Sequence, residues 1–274
     1  MTEERIIERI KHIRSLIDPD IYPETANFLE AFRHPEHMHI TSLVNALADC
    51  DRTKAMLPEL FDFLVELYEE VISLYDNDIY IKASAMHDLG ALYYDGRGVN
   101  QDFTKAVHYY EMALEHGSHE VLENLGYCYY YGRLGYPDYE KAFHCFARLA
   151  FEGDVNALYK IGDMYRNGYY VKKDLDEAFR IYSHCEDFIG HDAKYAAGPV
   201  YLRLGKAYLY GEGTEKDLQV ALKCFQRAEN FLYEMVSAGD VMYRKSLQAA
   251  IDYQAKARSE LMEKLSCYRT WPNE

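Results

Sequence analysis

The chain has 274 residues, of which 45 are Asp or Glu and 30 are Lys or Arg, so its formal net charge is −15. This charge argues against a protein that follows nucleic-acid phosphates or is attracted to anionic lipid, whereas a basic peptide or protein surface would be attracted. Solubility alone is the other explanation of the acidic balance. The sequence has no apolar run of about 18 residues, the length that a membrane-spanning helix needs.

The first residues, MTEERIIERIKHIR, carry charge throughout and lack the apolar stretch of a secretory signal. The six cysteines are scattered and include no C-x-x-C pair, which favours reduced thiols in several buried positions. We therefore expect a cytoplasmic protein.

Amphipathic helices are predicted in four segments of the first 78 residues: 3–17, 24–33, about 40–50, and one that begins at Pro58. Their apolar residues recur at helical spacing, and proline is favoured in the first turn of a helix. None of these segments shows the repeat that follows. We therefore expect residues 1–78 to form a helical cap at one end of a repeat array.

The segment HPEHMH within this cap places His34, His37 and His39 close together. Three imidazoles could bind a metal ion, but no Cys or carboxylate stands at a strict spacing from them. A metal-binding or hydrolytic protein that uses this segment is therefore an alternative interpretation. The sequence contains no P-loop, G-x-G-x-x-G, H-E-x-x-H or G-x-S-x-G motif, so the prediction is a non-enzyme without a cofactor.

Four markers recur from residue 85 onward at steps of 36, 36 and 43 residues, which indicates stacked helical units. They are the helix glycines Gly90, Gly126, Gly162 and Gly205, the turn glycines Gly96, Gly132, Gly168 and Gly211, the aspartates Asp102, Asp138, Asp174 and Asp217, and the alanines Ala106, Ala142, Ala178 and Ala221. The units are predicted at about 79–117, 118–153, 154–192 and 193–239.

Each unit is predicted to contain two antiparallel helices, A and B. The first glycine would allow a close crossing of the helices, and the second would end helix A in a left-handed conformation. The aspartate fits the N-cap of helix B rather than a metal or acid–base group, and the alanine lets helix B pack on helix A.

Seven extra residues lie in Glu186–Ala197, so the B helices of the third and fourth units are either longer or carry a loop. A long amphipathic helix is predicted at 240–266, with Leu247, Ala250, Ile251, Ala257, Leu261 and Leu265 as its apolar residues. Residues 240–274 are expected to form a C-terminal capping helix and a loose tail.

The pattern A-x-x-x-L-G-x-x-Y-x-x-G-x-G-V-x-x-D-x-x-K-A-x-x-Y-Y-x-x-A resembles the Sel-one-like repeat (SLR) family of the tetratricopeptide-like superfamily. The resemblance covers about residues 79–239. It implies an all-α fold, a right-handed α-solenoid of stacked helix-turn-helix repeats with helical caps at both ends. It also implies scaffold or adaptor work on a concave groove built mainly from the A helices.

Some secreted members of the family carry a disulfide in every repeat and were named as β-lactamases. This chain has no paired cysteines in each repeat, so that activity is not transferred to it.

By the same resemblance, the groove is lined by side chains at four positions around each helix-A glycine. The predicted partner-binding residues are His87, Tyr94, Glu123, Tyr127, Tyr130, Tyr131, Tyr159, Asp163, Arg166, Asn167 and Lys206. Tyrosines flanked by Glu123 and Asp163 suit a peptide that carries Lys or Arg. The alternative is that the tyrosines, 27 in the whole chain, pack between neighbouring helices.

The favoured interpretation is a cytoplasmic, bacterial-type scaffold that binds a peptide or protein segment on a tyrosine-rich, acidic concave groove, without nucleic acid or membrane partners. A structural unit that forms homo-oligomers through an exposed terminal helix is a further alternative. The sequence does not define the oligomeric state.

Overall fold

The structure is a computed structural model that describes residues 58–74, 79–189 and 193–269, with single positions between 5 and 15. The described residues form ten α-helices and no strand. The helices are α1 (Pro58–Leu74), α2 (Ile79–Asp95), α3 (Phe103–Glu115), α4 (Val121–Tyr130), α5 (Tyr139–Phe151), α6 (Val155–Asn167), α7 (Leu175–Ile189), α8 (Ala197–Tyr210), α9 (Leu218–Ser237) and α10 (Arg244–Arg269). Short 3-10 turns, Lys194–Ala196 and Val241–Tyr243, precede α8 and α10.

Each described helix packs on the next one along the chain within two compact units, Met1–Asp138 and Tyr139–Glu274. The first unit holds α1 to α4, and the second holds α5 to α10. None of the described helices is both long enough and apolar enough to cross a membrane.

The predicted cap is described in part. Helix α1 begins at Pro58, as predicted, and buries Leu64, Leu67 and Val71. The described positions within the predicted helix 3–17 are helical. The predicted helices 24–33 and 40–50, and the histidines of HPEHMH, lie outside the described residues.

The helix-A glycines stand where the partner helix crosses closely, as predicted. A Cβ atom added at Gly162 would lie 2.5 Å from Cε1 of Tyr182, and one at Gly90 would lie 2.7 Å from the ring of Tyr110. These distances are shorter than van der Waals contact, so a side chain at either position would displace the B helix. The alanines opposite them, Ala106, Ala142, Ala178 and Ala221, are all buried.

The predicted turn and cap residues are also confirmed. Gly168 and Gly211 follow α6 and α8 with φ values of 75° and 70°, in the left-handed region that glycine adopts without strain. The carboxylates of Asp102 and Asp217 accept hydrogen bonds from backbone N–H groups at the starts of α3 and α9. These aspartates therefore stabilise helix starts.

The C-terminal part differs in detail from the prediction. Helix α9 has 20 residues, so the extra length in the fourth repeat extends its B helix. Helix α10 buries Ala250 and Ala257, whereas Ile251 and Leu265 remain 40% and 50% exposed. The buried face of α10 is therefore narrower than the set of its apolar residues.

Candidate interaction surface

In the first unit, the tyrosines predicted to line a groove form a group at the end of α4. The ring of Tyr131 stacks on Tyr127 with 6.0 Å between centroids and meets Tyr130 edge-on at 5.1 Å. Tyr131 is 54% exposed, and Tyr127 and Tyr130 are half-buried. Arg133 lies 5.9 Å from the Tyr131 ring centroid. These rings therefore pack on one another and still present a face to solvent.

Two other predicted residues of the first unit, Tyr94 and His87, contact side chains of the protein itself. Tyr94 packs edge-on against Phe103, and the Nε2 atom of His87 lies 3.4 Å from the side-chain nitrogen of Asn124. Glu123 is exposed on α4. Both explanations of the tyrosines, packing and surface display, thus apply to this unit.

In the second unit, Asp163 of α6 binds Arg203 of α8. The Nε atom of Arg203 donates to Oδ1 of Asp163 at 2.6 Å, and Nη2 donates to Oδ2 at 2.5 Å. The side chains of Arg203 and Asp163 are 20% and 13% exposed. The Asp163 carboxylate is therefore occupied inside the protein, in contrast to the expectation that it faces a basic peptide.

Two tyrosines complete this ion pair. The Tyr182 hydroxyl donates to Asp163 at 2.8 Å, and the Arg203 guanidinium lies 4.3 Å from the Tyr159 ring centroid. Burial alone would raise the pKa of Asp163, but the charge and hydrogen bonds of Arg203, aided by Lys160 and Tyr182, outweigh it and lower that pKa. Tyr159 is only 5% exposed, so it supports the guanidinium and does not stand open to a partner.

Arg166 and Asn167 stand at the end of α6. Arg166 makes a bidentate ion pair with Glu212, in which Nε and Nη2 donate at 2.7 and 3.0 Å. The Asn167 side-chain amide donates to the Asp163 carbonyl at 2.7 Å and is exposed. One amide hydrogen of Asn167 therefore remains available.

Lys206 lies one turn beyond Arg203 on α8 and is half-buried. Its Nζ atom is 4.7 Å from the ring centroid of Tyr253 on α10. Burial lowers the pKa of Lys206, and the positive charges of Arg203 and Arg166 lower it further. Within the part of the chain that the structure describes, no carboxylate pairs with Lys206.

These side chains surround a pocket between α6, α8 and the start of α10, with a volume of about 340 Å³. Its described lining consists of Asp163, Arg166, Asn167, Leu202, Arg203, Lys206, Lys245, Ser246 and Ala249. Four of these residues are cationic and one is anionic, in a chain whose net charge is −15. The pocket is therefore a local site of positive charge.

Sequence reasoning placed Asp163, Arg166, Asn167 and Lys206 on one surface, and the structure brings them together in this pocket. It missed Arg203, Lys245 and Ser246. Arg203 precedes a helix-A glycine by two residues, a position that the repeat pattern did not assign to the groove. Lys245 and Ser246 belong to the capping helix, and no sequence pattern related that helix to the pocket.

A larger cavity of about 820 Å³ lies between the start of α9 and the end of α10. It contains no helix-A residue, and the ion pair between Lys216 and Glu260 crosses it at 2.8 Å. Its lining has three carboxylates, Asp217, Glu260 and Glu263, against two lysines, so it has no excess of positive charge like that of the smaller pocket.

The described residues contain no group of His, Cys, Asp or Glu arranged to hold a metal ion. The metal or hydrolytic alternative rested on His34, His37 and His39, which lie outside the described residues.

Consecutive helix pairs, crossing at glycines and capped by aspartates, define an α-helical repeat protein of the solenoid class. Four consecutive segments, residues 83–118, 119–154, 155–183 and 199–230, match the sequence profile of the Sel1 repeat. The chain therefore belongs to the Sel1 repeat proteins, and the predicted resemblance is confirmed. Members of this family are generally protein–protein interaction scaffolds and are typically not enzymes.

Two solved structures are similar to this chain, and the first of them supports the fold. A Sel1 repeat protein from Oxalobacter formigenes is 23% identical with a TM-score of 0.56, over 93% of this chain and 99% of that one. The protective antigen c5321 of uropathogenic Escherichia coli, which displays an SLR fold, is 17% identical with a TM-score of 0.46, over 95% of this chain and 56% of that one. No curated protein matches the sequence.

Proposed function

We propose that this chain is a scaffold or adaptor that binds a segment of a partner protein on the side chains of its A helices. The observation that carries the proposal is the pocket of the second unit, where helix-A residues of two repeats and the start of α10 converge. A convergent set of polar groups around a concave site is the usual form of a recognition site. The exposed tyrosine group of α4 is a second contact of the kind that protein interfaces favour.

The proposal includes no reaction and no cofactor, and it assigns the protein to the cytoplasm. The four described cysteines, at positions 128, 145, 185 and 224, are buried and form no disulfide with one another. Burial raises the pKa of the Cys185 thiol to about 12, which makes it a poor nucleophile at neutral pH. These cysteines act as small packing residues.

Selection of displayed peptides on the immobilised full chain tests the proposal. Recovered peptides are then titrated against wild type, against Tyr131→Ser on the α4 group, and against Lys206→Gln in the pocket. The matched control is Tyr136→Ser, which changes a tyrosine that is 76% exposed outside the A helices.

We expect at least one of the two A-helix variants to weaken binding about tenfold, and the control to leave it unchanged. Peptides held equally by all variants would place binding elsewhere on the protein. If no peptide is recovered above the level of an unrelated helical protein, the proposed function is wrong.

A further inference from the structure

We propose that the pocket between α6, α8 and α10 binds a carboxylate of the partner segment, so that the partner is acidic at this contact. This inference rests on the proposed function and identifies the chemistry that its site recognises. The carboxylate belongs either to an Asp or Glu side chain or to the carboxyl terminus of the partner.

The pocket has positive charges beyond those that the protein neutralises. Asp163 pairs with Arg203, and Glu212 pairs with Arg166. Lys206 and Lys245 line the same pocket, and neither pairs with a carboxylate in the part of the chain that the structure describes. Two ammonium groups thus face the site without an anionic partner.

The two occupied ion pairs keep the pocket in shape. Arg203 is fixed by Asp163, by the ring of Tyr159 and by a hydrogen bond of 2.8 Å to the Pro199 carbonyl. Arg166 is fixed by both oxygens of Glu212. A ligand therefore enters a site whose charged walls are already ordered, which lowers the entropy that binding must overcome.

The remaining lining suits a carboxylate. Ser246 offers a hydroxyl and Asn167 offers an amide hydrogen, and both groups donate hydrogen bonds to carboxylate oxygens. Lys245 and Ser246 lie in the first turn of α10, where the helix dipole adds positive potential. Burial, and then the positive charges of Arg203 and Arg166, lower the pKa of Lys206, and an anion in the pocket would offset the repulsion from those charges.

The size and the surroundings of the pocket favour a short protein segment over a polyanion. A volume of about 340 Å³ lies at the lower end of the usual range for binding pockets. The net charge of −15 repels an extended phosphate backbone, whereas one or two carboxylates need only the local positive charge. The proposed ligand differs in sign from the basic peptide that composition suggested.

Isothermal titration of the full chain with short synthetic peptides tests the inference. The peptides share one neutral backbone sequence and differ in two features: glutamate, glutamine or lysine at internal positions, and a free or an amidated carboxyl terminus. The double variant Lys206→Gln/Lys245→Gln removes the two unpaired charges. Its matched control, Lys172→Gln/Lys223→Gln, removes the same charge from exposed positions outside the pocket.

We expect the glutamate peptide with a free terminus to bind wild type and the control equally, and the pocket variant at least about tenfold more weakly. Binding of the amidated glutamate peptide would identify side-chain carboxylates, and binding of the free-terminus glutamine peptide would identify the terminal carboxylate. Circular dichroism melts verify that both variants are folded.

Two results would overturn the inference. One is that no peptide with a side-chain or terminal carboxylate binds more tightly than the amidated glutamine peptide, and the other is an equal loss of affinity in the pocket variant and the control. If lysine peptides bind and lose affinity in the A-helix variants, the proposed function stands and the carboxylate inference is wrong. If no synthetic or selected peptide binds, both are wrong.

Discussion

Arg203 is a nearly buried cation, and Asp163 is the carboxylate that compensates it. Replacing Asp163 by Asn leaves the guanidinium without its counter-charge, which costs about 3–5 kcal/mol for a buried pair. We expect the Asp163→Asn variant to lose about that much free energy of unfolding, measured by urea denaturation. The double variant Asp163→Leu/Arg203→Met removes both charges and should recover most of the loss. A single variant within about 1 kcal/mol of wild type would contradict the prediction.

The same pair predicts how stability depends on pH. Because the pKa of Asp163 is lower in the folded protein than its ordinary value of 3.8, the stabilisation is fully present above that value. It is lost as the pH falls through the lowered pKa. The difference in unfolding free energy between wild type and Asp163→Asn should therefore be constant near neutral pH and shrink on acidification. A difference that grows in acid would mean that the carboxylate is not stabilised by its partners.

Residue roles at this site were only partly predictable from the sequence. The repeat pattern places Asp163 on the helix-A surface, but it does not show that Arg203, 40 positions further on, lies against it. The pairing depends on how α8 packs beside α6, which is a tertiary property. For the same reason, Tyr159 was predicted as a groove residue and is found beneath the guanidinium.

At the scale of the helical element, Gly162 sets the distance between α6 and α7. An added Cβ atom would lie 2.5 Å from the Tyr182 ring, so the helices must shift. We expect Gly162→Ala to destabilise the protein by about 1–3 kcal/mol, the usual cost of overpacking, although Ala is the better helix former. In a Tyr182→Ala background the same change should be neutral or stabilising. If Gly162→Ala changed the stability equally in both backgrounds, the Tyr182 ring would not limit how closely α6 and α7 approach.

The start of helix α9 depends on Asp217, whose carboxylate accepts hydrogen bonds from the backbone N–H groups of Gln219 and Val220 at 2.8 and 3.0 Å. Loss of an N-cap typically costs about 1 kcal/mol. We expect Asp217→Ala to lose about that amount in thermal or urea unfolding, while Asp217→Asn retains most of it. An Asn variant as unstable as the Ala variant would assign the effect to charge instead of capping.

The helix boundaries were predictable because each repeat contains residues that end one helix and begin the next. Gly96, Gly168 and Asp102 mark where helices end and begin, and these are local properties of the chain. The third repeat shows the limit of that reasoning. Two residues after the turn glycine it has Tyr170, where the first and fourth repeats have Gly98 and Gly213. Tyr170 adopts a φ of 63°, and it is the one residue other than glycine with a left-handed φ among those described. The turn geometry persists although the residue that favours it is missing.

At the scale of the whole molecule, charge is distributed unevenly. The chain carries a net charge of −15, yet the pocket of the second unit is lined by four cations and one anion. Composition predicted attraction of a basic partner, because it averages over the surface. It could not reveal a small region of opposite sign, which depends on residues from three helices meeting at one place.

This distribution predicts how salt changes the two rate constants for binding of an acidic peptide. At low ionic strength the negative field of the whole chain extends about 30 Å and slows the approach of an anion, whereas at physiological salt it is screened within about 8 Å. Raising the salt concentration should therefore increase the association rate constant. It should also increase the dissociation rate constant, because the contacts with Lys206 and Lys245 weaken. Stopped-flow binding of a glutamate peptide measures both constants.

The matched control is a peptide with the same carboxylates whose net charge is brought to zero by added lysines. Its association rate should change little with salt, since a neutral peptide experiences no net repulsion from the chain. Its dissociation should still accelerate if the same carboxylate contacts are made. If the association rate constant of the glutamate peptide instead falls as salt is added, the attraction of the pocket outweighs the repulsion of the acidic surface. In that case the local cations, and not the charge of the whole chain, would direct the encounter.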